Sequence, residues 1–298
     1  MGKCSKDKRD IYYRKAKEAK YRARSAYKLI QLDDTFSFLQ GATRIVDLCA
    51  APGGWSQVIV ERLRQSQKRT DEARKIIAVD LMEMAPIEGV HQLKGDITHA
   101  ETANAIISYF GGSKAHVIVM DGAPDVIGSY DWDEYIQAQL VLAGLHLSLS
   151  ILEENGIFVA KIFRGAQVSL LFTQLNQYFR KVTCAKPKAS RNSSFEAFVV
   201  CEGFVSPEKV YQIAQEPYLL DFQDLRVNES NAMERARSIC ASVQFRGCGD
   251  VCGDDADQSY PLEDLTEAPS THTYQHQEPL QKPINPPYAP ALLKEYHL

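Results

Sequence analysis

The sequence has 298 residues, a formal net charge of −4, and 45% hydrophobic and 24% charged residues, which suits a globular domain with an appendage. Its apolar runs fall short of the roughly 20 residues that cross a bilayer, and its N-terminus lacks a secretory signal, so we expect a cytoplasmic protein. The seven cysteines are scattered, and Cys240, Cys248 and Cys252 match no standard zinc spacing, so we predict reduced cysteines and no metal site.

The first thirty residues are strongly basic, although the whole chain is mildly acidic. Residues 5–38 contain no proline or glycine and are rich in Ala, Lys, Arg and Leu, which predicts a helix broken once or more. Tyrosines interleave with the basic residues: Tyr12, Tyr13, Tyr21 and Tyr27 among Lys3, Lys6, Lys8, Arg9, Arg14, Lys15, Lys17, Lys20, Arg22, Arg24 and Lys28. This pattern suits a solvated helix whose tyrosines pack on the domain. It equally suits an RNA-binding surface whose affinity falls as salt rises.

Strands alternate with helices from residue 43 onward. Predicted strands cover 43–49, 75–81, 89–93, 116–121, 156–163, 181–186 and 197–202, and predicted helices cover 55–64, 100–110, 135–152 and 168–178. This alternation predicts an α/β fold with a mostly parallel seven-stranded sheet and helices on both faces. The last two strands follow one another directly, which indicates an antiparallel edge.

The composition divides the chain into three segments. Residues 1–40 form the basic helical segment, 41–205 the α/β domain, and 206–298 an acidic, proline-rich extension. We expect that extension to be an extended tail, ordered only where it lies against the domain or a partner. The polar insertion at 65–74 is predicted to be a surface loop.

The first predicted strand runs into a small, glycine-containing turn, DLCAAPGGWSQ at 47–57, which opens a helix. The glycine fingerprints of dinucleotide-binding and phosphate-binding loops are both absent, and a plain tight turn is the alternative. Asp80 and Asp121 close later strands, and Asp96 follows another. Because carboxyl ends of parallel strands share one edge of a sheet, these carboxylates together predict a ligand site there.

Three further charged residues carry candidate chemistry. Lys161 closes the fifth predicted strand, where it would lie beside Asp121, while Glu196 precedes the last strand and Lys28 lies in the basic helix. A structural ion pair between Lys161 and Asp121 is one interpretation. The other is a lysine in a cleft whose ionisation is tuned for proton transfer.

Together these segments resemble the FtsJ/RrmJ-type ribose 2′-O-methyltransferases, over roughly residues 5–205. The likeness rests on DLCAAPGGWSQ, MDGAPD, FVAKIF and SRNSSFEAF. It implies a Rossmann-like class I S-adenosylmethionine-dependent methyltransferase fold with S-adenosyl-L-homocysteine as product. It also implies a catalytic tetrad of Lys28, Asp121, Lys161 and Glu196, with Lys161 as general base. The implied cofactor-binding residues are Gly53 and Trp55 in the loop, Asp80 for ribose, Asp96 for adenine, and Asp121 near the methionine part.

Within this family, both ends of the chain are most similar to the eukaryotic tRNA anticodon-loop enzymes. The likeness lies in SKDKRDIYYR near the N-terminus and in CGD, SYPL and PPY near the C-terminus. It implies methylation of tRNA at positions 32 and/or 34, with a WD-repeat protein and a large helical-repeat protein as helpers. The alternatives are a ribosomal RNA or mRNA-cap 2′-O-methyltransferase, or a non-catalytic RNA-binding protein on the same fold.

Overall fold

An eight-stranded sheet organises the protein in a computed structural model that describes residues 10–65, 74–124, 128–166, 168–208 and 243–260. The strands are β1 Arg44–Leu48, β2 Lys75–Asp80, β3 Val90–Lys94, β4 Ala115–Met120, β5 Leu152–Phe163, β6 Phe179–Pro187, β7 Glu196–Phe204 and β8 Gln244–Cys248. The helices are α1 Ile11–Glu18, α2 Ala26–Phe36, α3 Gly54–Gln65, α4 Ala100–Tyr109, α5 Tyr130–Ile151 and α6 Val168–Tyr178.

The strand order is β3-β2-β1-β4-β5-β7-β6-β8. Strands β1 to β5 are parallel neighbours in this order, and β7 lies antiparallel between β5 and β6. The predicted mostly parallel α/β sheet and the antiparallel pairing near its end are therefore confirmed. From β1 the chain first adds strands on one side, β2 and then β3, and then crosses to the other side to add β4 and β5. At such a switch point in strand order, a crevice opens at the carboxyl ends of the strands.

Apolar side chains bury both faces of the sheet. On one face the core contains Ile106 of α4, Leu145 of α5 and Leu175 of α6. On the other face it contains Leu29 of α2 and Ile59 of α3. This arrangement confirms helices on both faces and leaves the strand ends, rather than the faces, as the place for a ligand.

Helix α5 and strand β5 differ most in extent from the sequence prediction. Helix α5 begins at residue 130 rather than 135, because acidic Asp131 and Asp133 in its first turn suit the positive end of the helix dipole. Strand β5 begins at Leu152 rather than at residue 156, and Leu152 already pairs with Ala115 of β4.

An eighth strand, β8, lies within the segment predicted as the C-terminal extension. It pairs in parallel with β6, from Thr183 opposite Gln244 to Pro187 opposite Cys248. Residues 249–260 then reach α1, where the Tyr12 hydroxyl donates to the Asp254 carbonyl over 3.0 Å. Part of the predicted extension thus packs on the domain. The boundaries at 40 and 205 stay predictions, and the proline-rich segment 261–298 and most of the 65–74 insertion lie outside the described residues.

The basic N-terminal segment forms two helices, α1 and α2, in its described part. No helix in the described ranges is long and apolar enough to cross a membrane. Across the same ranges, no cluster of three or more His, Cys, Asp or Glu side chains is arranged to hold a metal ion.

Candidate active site

The loop after β1 makes a tight turn against the end of β2. The Ala51 amide donates to Asp80 Oδ2 over 2.9 Å, and the Ala50 amide donates to the Val79 carbonyl over 3.1 Å. Gly53 has a φ of +105°, and a Cβ at this position would lie 2.7 Å from Ile87 Cδ1. The backbone conformation therefore favours glycine here, and a side chain would in addition displace the Ile87 side chain. The result is a narrow backbone cradle at the start of α3.

Two of the predicted cofactor carboxylates stand beside this cradle at neighbouring strand ends. Asp80 ends β2, and its second oxygen, Oδ1, accepts the Met82 amide over 2.7 Å. Asp96 follows β3 and accepts the amide and hydroxyl of Thr98 over 2.8 and 2.7 Å, which lowers the pKa of this carboxyl. Both side chains are only partly buried, so they are held in place and still open to a ligand.

Trp55 lies in the first turn of α3, directly after the loop, and its indole points into the protein. The ring is 2% exposed, donates from Nε1 to the Ser25 carbonyl over 2.9 Å, and packs 5.7 Å from the Phe198 ring. The indole anchors α3 to the entry of α2. Its predicted place in cofactor binding thus rests on its backbone and stays a prediction.

Arg22 is a site residue that sequence reasoning missed. Its guanidinium donates to the carbonyls of Pro52, Ala85 and Pro86 over 3.1, 2.6 and 2.8 Å. It thereby clamps the loop after β1 to the loop after β2. Arg22 appeared in the sequence only as one of many cations in a basic segment, so no local signal set it apart.

Lys161 and Asp121 lie side by side at the carboxyl edge of the sheet, because Met120 of β4 pairs with Ala160 of β5. Lys161 Nζ donates to the Asp121 carbonyl over 2.8 Å and lies 3.3 Å from Asp121 Oδ1. The two side chains are only 10% and 16% exposed. The predicted pair is thus present, in a cleft that admits little water.

Lys28 and Glu196 form a second pair next to the first. Lys28 Nζ lies 2.7 Å from the Glu196 carboxylate, and the Ser190 hydroxyl donates to Glu196 Oε1 over 2.5 Å. Burial alone would raise the pKa of the Glu196 carboxyl, but the charges of Lys28 and Lys161 and these hydrogen bonds outweigh it and lower that pKa. The structure therefore brings all four predicted tetrad residues together as two ion pairs. Ser190 is an additional partner that the sequence did not reveal.

Gln137 of α5 ties the two strand ends together beneath the lysine. Its Nε2 donates to the Gly122 carbonyl over 3.1 Å and to the Lys161 carbonyl over 2.7 Å, and the residue is 1% exposed. Other polar residues, Asp133 and Glu134 among them, are also buried in α5, so no sequence signal set Gln137 apart. Gln137 fixes the spacing between β4 and β5 at the site.

A buried carboxyl and a partly buried thiol lie next to the loop after β1. Asp47 is 1% exposed, and burial, together with the nearby charges of Asp121 and Asp80, raises its pKa to about 7 even though Ser56 donates a 2.6 Å hydrogen bond to it. Burial, followed by the charge of Asp80, raises the pKa of the Cys49 thiol to about 12, so Cys49 stays protonated. Neither group is set up as a nucleophile.

Several N-terminal cations are engaged within the protein rather than facing outward. Arg14 donates to the Tyr260 carbonyl over 2.9 Å, while Lys15 pairs with Asp254 and Arg24 pairs with Asp10. Tyr12 is 5% exposed and its ring lies 5.5 Å from that of Tyr27. For these side chains the structure favours packing on the domain over a free RNA-binding face.

Comparison with known proteins agrees with this geometry. The family model of the FtsJ-like methyltransferases matches residues 21–204. A Homo sapiens tRNA (cytidine(32)/guanosine(34)-2′-O)-methyltransferase is 49% identical over 98% of this chain and 84% of the relative. Its Schizosaccharomyces pombe namesake is 48% identical over 98% of this chain and 97% of the relative. The solved structure of a Plasmodium falciparum protein assigned as a ribosomal RNA methyltransferase is 30% identical, with a TM-score of 0.56, and covers 62% of this chain and 100% of that one. Since the likeness extends over nearly the whole chain and includes the loop and the four paired residues, this chain belongs to the FtsJ-like methyltransferase family.

Proposed function

We propose that this chain transfers a methyl group from S-adenosylmethionine to ribose 2′-hydroxyls in the tRNA anticodon loop, at position 32, position 34 or both. The observation that carries the proposal is the pairing of Lys161 with Asp121 and of Lys28 with Glu196, beside the Gly53 cradle. Relatives named for this tRNA activity match 98% of the chain, which favours tRNA over ribosomal RNA or an mRNA cap.

The residues around the cradle fit S-adenosylmethionine. Gly53 places no side chain between its backbone and a ligand, and Asp80 and Asp96 offer carboxylate oxygens to ribose and adenine donors. Asp121 Oδ1 is buried and accepts no hydrogen bond from the described residues, although Lys161 Nζ lies 3.3 Å away as its ionic partner. When bound, this cofactor supplies an electrophilic methyl group on its sulfonium.

Lys161 acts as the general base in this proposal. A ribose hydroxyl is a poor nucleophile at neutral pH, so it must lose its proton as it attacks. Neutral Lys161 accepts that proton at Nζ and becomes an ammonium. The Asp121 carbonyl and carboxylate, 2.8 and 3.3 Å away, hold Nζ in position and stabilise the protonated product of the step.

Lys28 and Glu196 lie beside Lys161 as a second ion pair. The Glu196 carboxylate is ionised, and Lys28 balances its charge at 2.7 Å. Their predicted catalytic effect is thus electrostatic.

Incubation with total tRNA and radiolabelled S-adenosylmethionine, with and without cell extract, followed by mapping of 2′-O-methyl nucleotides, tests the proposal. We expect label in the anticodon loop. Label in ribosomal RNA or capped mRNA alone would contradict tRNA as the substrate. Cofactor binding without label, with or without extract, would favour a non-catalytic RNA-binding protein.

The helper proteins are part of the same proposal. Activity that appears only with extract would support a requirement for a WD-repeat or helical-repeat partner. Residues 261–298 are the candidate docking segment, since their proline-rich, acidic composition suits an extended contact. Unchanged partner binding after deletion of 261–298 would exclude that role.

A Gly53→Ala substitution should weaken S-adenosylmethionine binding by about 10-fold or more, because it places a side chain at a φ of +105° and against Ile87. Backbone strain of this kind costs about 1–3 kcal/mol. Isothermal titration of the cofactor measures the change. Gly112→Ala is the matched control, because Gly112 also has a positive φ, +84°, but nothing lies within 4 Å of its Cβ position. Equal affinity in the two variants would contradict the cradle.

A further inference from the structure

An exposed aromatic ring stands at the rim of the tetrad. Tyr130 is the first residue of α5 and is 72% exposed. Its ring lies 5.3 Å from that of Phe195 in an edge-to-face arrangement at 61°. Phe195 immediately precedes Glu196, so the two rings border the paired catalytic side chains. An aromatic surface this exposed contributes little to the core and is open to a flat ligand.

Phe195 is held firmly in this position. Its ring packs 4.5 Å from that of Phe163, and its carbonyl accepts the Arg164 amide over 2.9 Å. Lys186 Nζ donates to the carbonyls on either side, those of Ser194 and Glu196, over 2.6 and 3.1 Å. The backbone that carries Glu196 therefore also positions the Phe195 ring.

Tyr130 differs in this respect from the other exposed aromatic residues of α5. Trp132 and Tyr135 are 61% and 54% exposed, and their rings contact each other at 6.1 Å. Tyr130 instead extends the fixed Phe195 ring outward. Trp132 thus provides a matched aromatic residue, two positions along the same helix, with a different ring partner.

We propose that Tyr130 and Phe195 form a stacking platform for the base of the target nucleotide, which positions its ribose at Lys161. This inference rests on the proposed function. Bases of single-stranded loops are commonly bound by stacking on aromatic side chains, and stacking accepts any base because every base has a π face. A site that takes both cytidine and guanosine needs that tolerance. Tyr130 is a positioning residue in this scheme.

The Tyr130→Ala variant tests the platform. Stacking is worth about 1–3 kcal/mol per base, so we expect kcat/KM for an anticodon stem-loop RNA to fall about 10- to 100-fold. Affinity for S-adenosylmethionine should not change, which excludes a folding defect. Tyr130→Phe should retain wild-type kcat/KM, and so should the control Trp132→Ala. An undiminished kcat/KM in Tyr130→Ala, or an equal loss in Trp132→Ala, would overturn the proposal.

A substrate that lacks the base separates stacking from other effects. An otherwise identical RNA with an abasic target nucleotide keeps the 2′-hydroxyl but has nothing to stack. Wild-type enzyme should lose activity on it by a similar factor, and Tyr130→Ala should lose no more. A full further loss would overturn the platform. If wild-type enzyme methylates only ribosomal or capped RNA, the proposed tRNA function is wrong. The stacking proposal is then tested separately, by comparing wild type and Tyr130→Ala on intact and abasic forms of that RNA.

Discussion

Replacing Lys161 with alanine should lower the rate of methyl transfer by about 10²–10⁴-fold, the range that a general base contributes. Lys161 Nζ contacts the carbonyl and carboxylate of Asp121 rather than the loop at Gly53. Cofactor affinity should therefore stay nearly unchanged. Single-turnover transfer to tRNA and titration of S-adenosylmethionine measure the two quantities separately.

Lys161→Arg distinguishes proton acceptance from simple charge. Arginine keeps the positive charge beside Asp121 but is effectively always protonated, so it cannot act as a base. We expect it to be nearly as inactive as the alanine variant. The control Lys181→Ala removes an exposed lysine that pairs with Glu202 on β7, and it should behave like wild type. Substantial transfer by either Lys161 variant would show that another group takes the proton.

The stability of an Asp47→Asn variant, measured relative to that of wild type, should increase as pH rises from 5 to 8. The Asp47 carboxyl has a pKa of about 7 in the folded protein, against an ordinary value of 3.8. A raised pKa means that the folded state favours the protonated form, and this contribution is lost as pH rises through about 7. Asparagine carries no charge at any pH. From pH 5 to pH 8, the difference in unfolding free energy should shift by up to about 3 kcal/mol in favour of Asp47→Asn.

Urea unfolding at both pH values measures this shift. The matched control is Asp34→Asn, which changes an exposed carboxylate on α2 that pairs with Arg62. Its effect on stability should be the same at pH 5 and pH 8. A difference between Asp47→Asn and wild type that does not vary with pH would mean that Asp47 is not buried as a neutral group.

The sequence contained enough information for the sheet and for the pairing at its edge. Apolar strands ending in Asp80, Asp121 and Lys161 place their polar termini at one edge wherever the strands are parallel. The register of β4 and β5 then makes Asp121 and Lys161 neighbours. The position of Lys28 could not be predicted in this way, because Lys28 contacts Glu196, which lies 168 positions away in the chain. Only the family resemblance indicated that contact.

What the sequence could not supply depends on long-range contacts. Four of the five residues of β8 are exposed, so the strand lacks the alternation of buried and exposed side chains from which a strand is predicted. The hydrogen-bond partners of a basic side chain likewise depend on residues that are distant in the sequence. Arg14 and Arg22 both lie in the basic segment, yet Arg14 donates to the Tyr260 carbonyl, whereas Arg22 joins the loop after β1 to the loop after β2.

The position of β8 limits how the catalytic region can be cut out of the chain. The region that matches the family model ends at residue 204, which makes a truncated protein of residues 1–205 look like a natural unit. Such a truncation would strip the partner from β6 and leave the backbone amides and carbonyls of 183–187 open to pairing with another molecule. It would also remove the acceptors of Arg14 and Lys15. Experiments on the isolated methyltransferase region therefore need a C-terminus at or beyond residue 260, or self-association will be mistaken for a property of the enzyme.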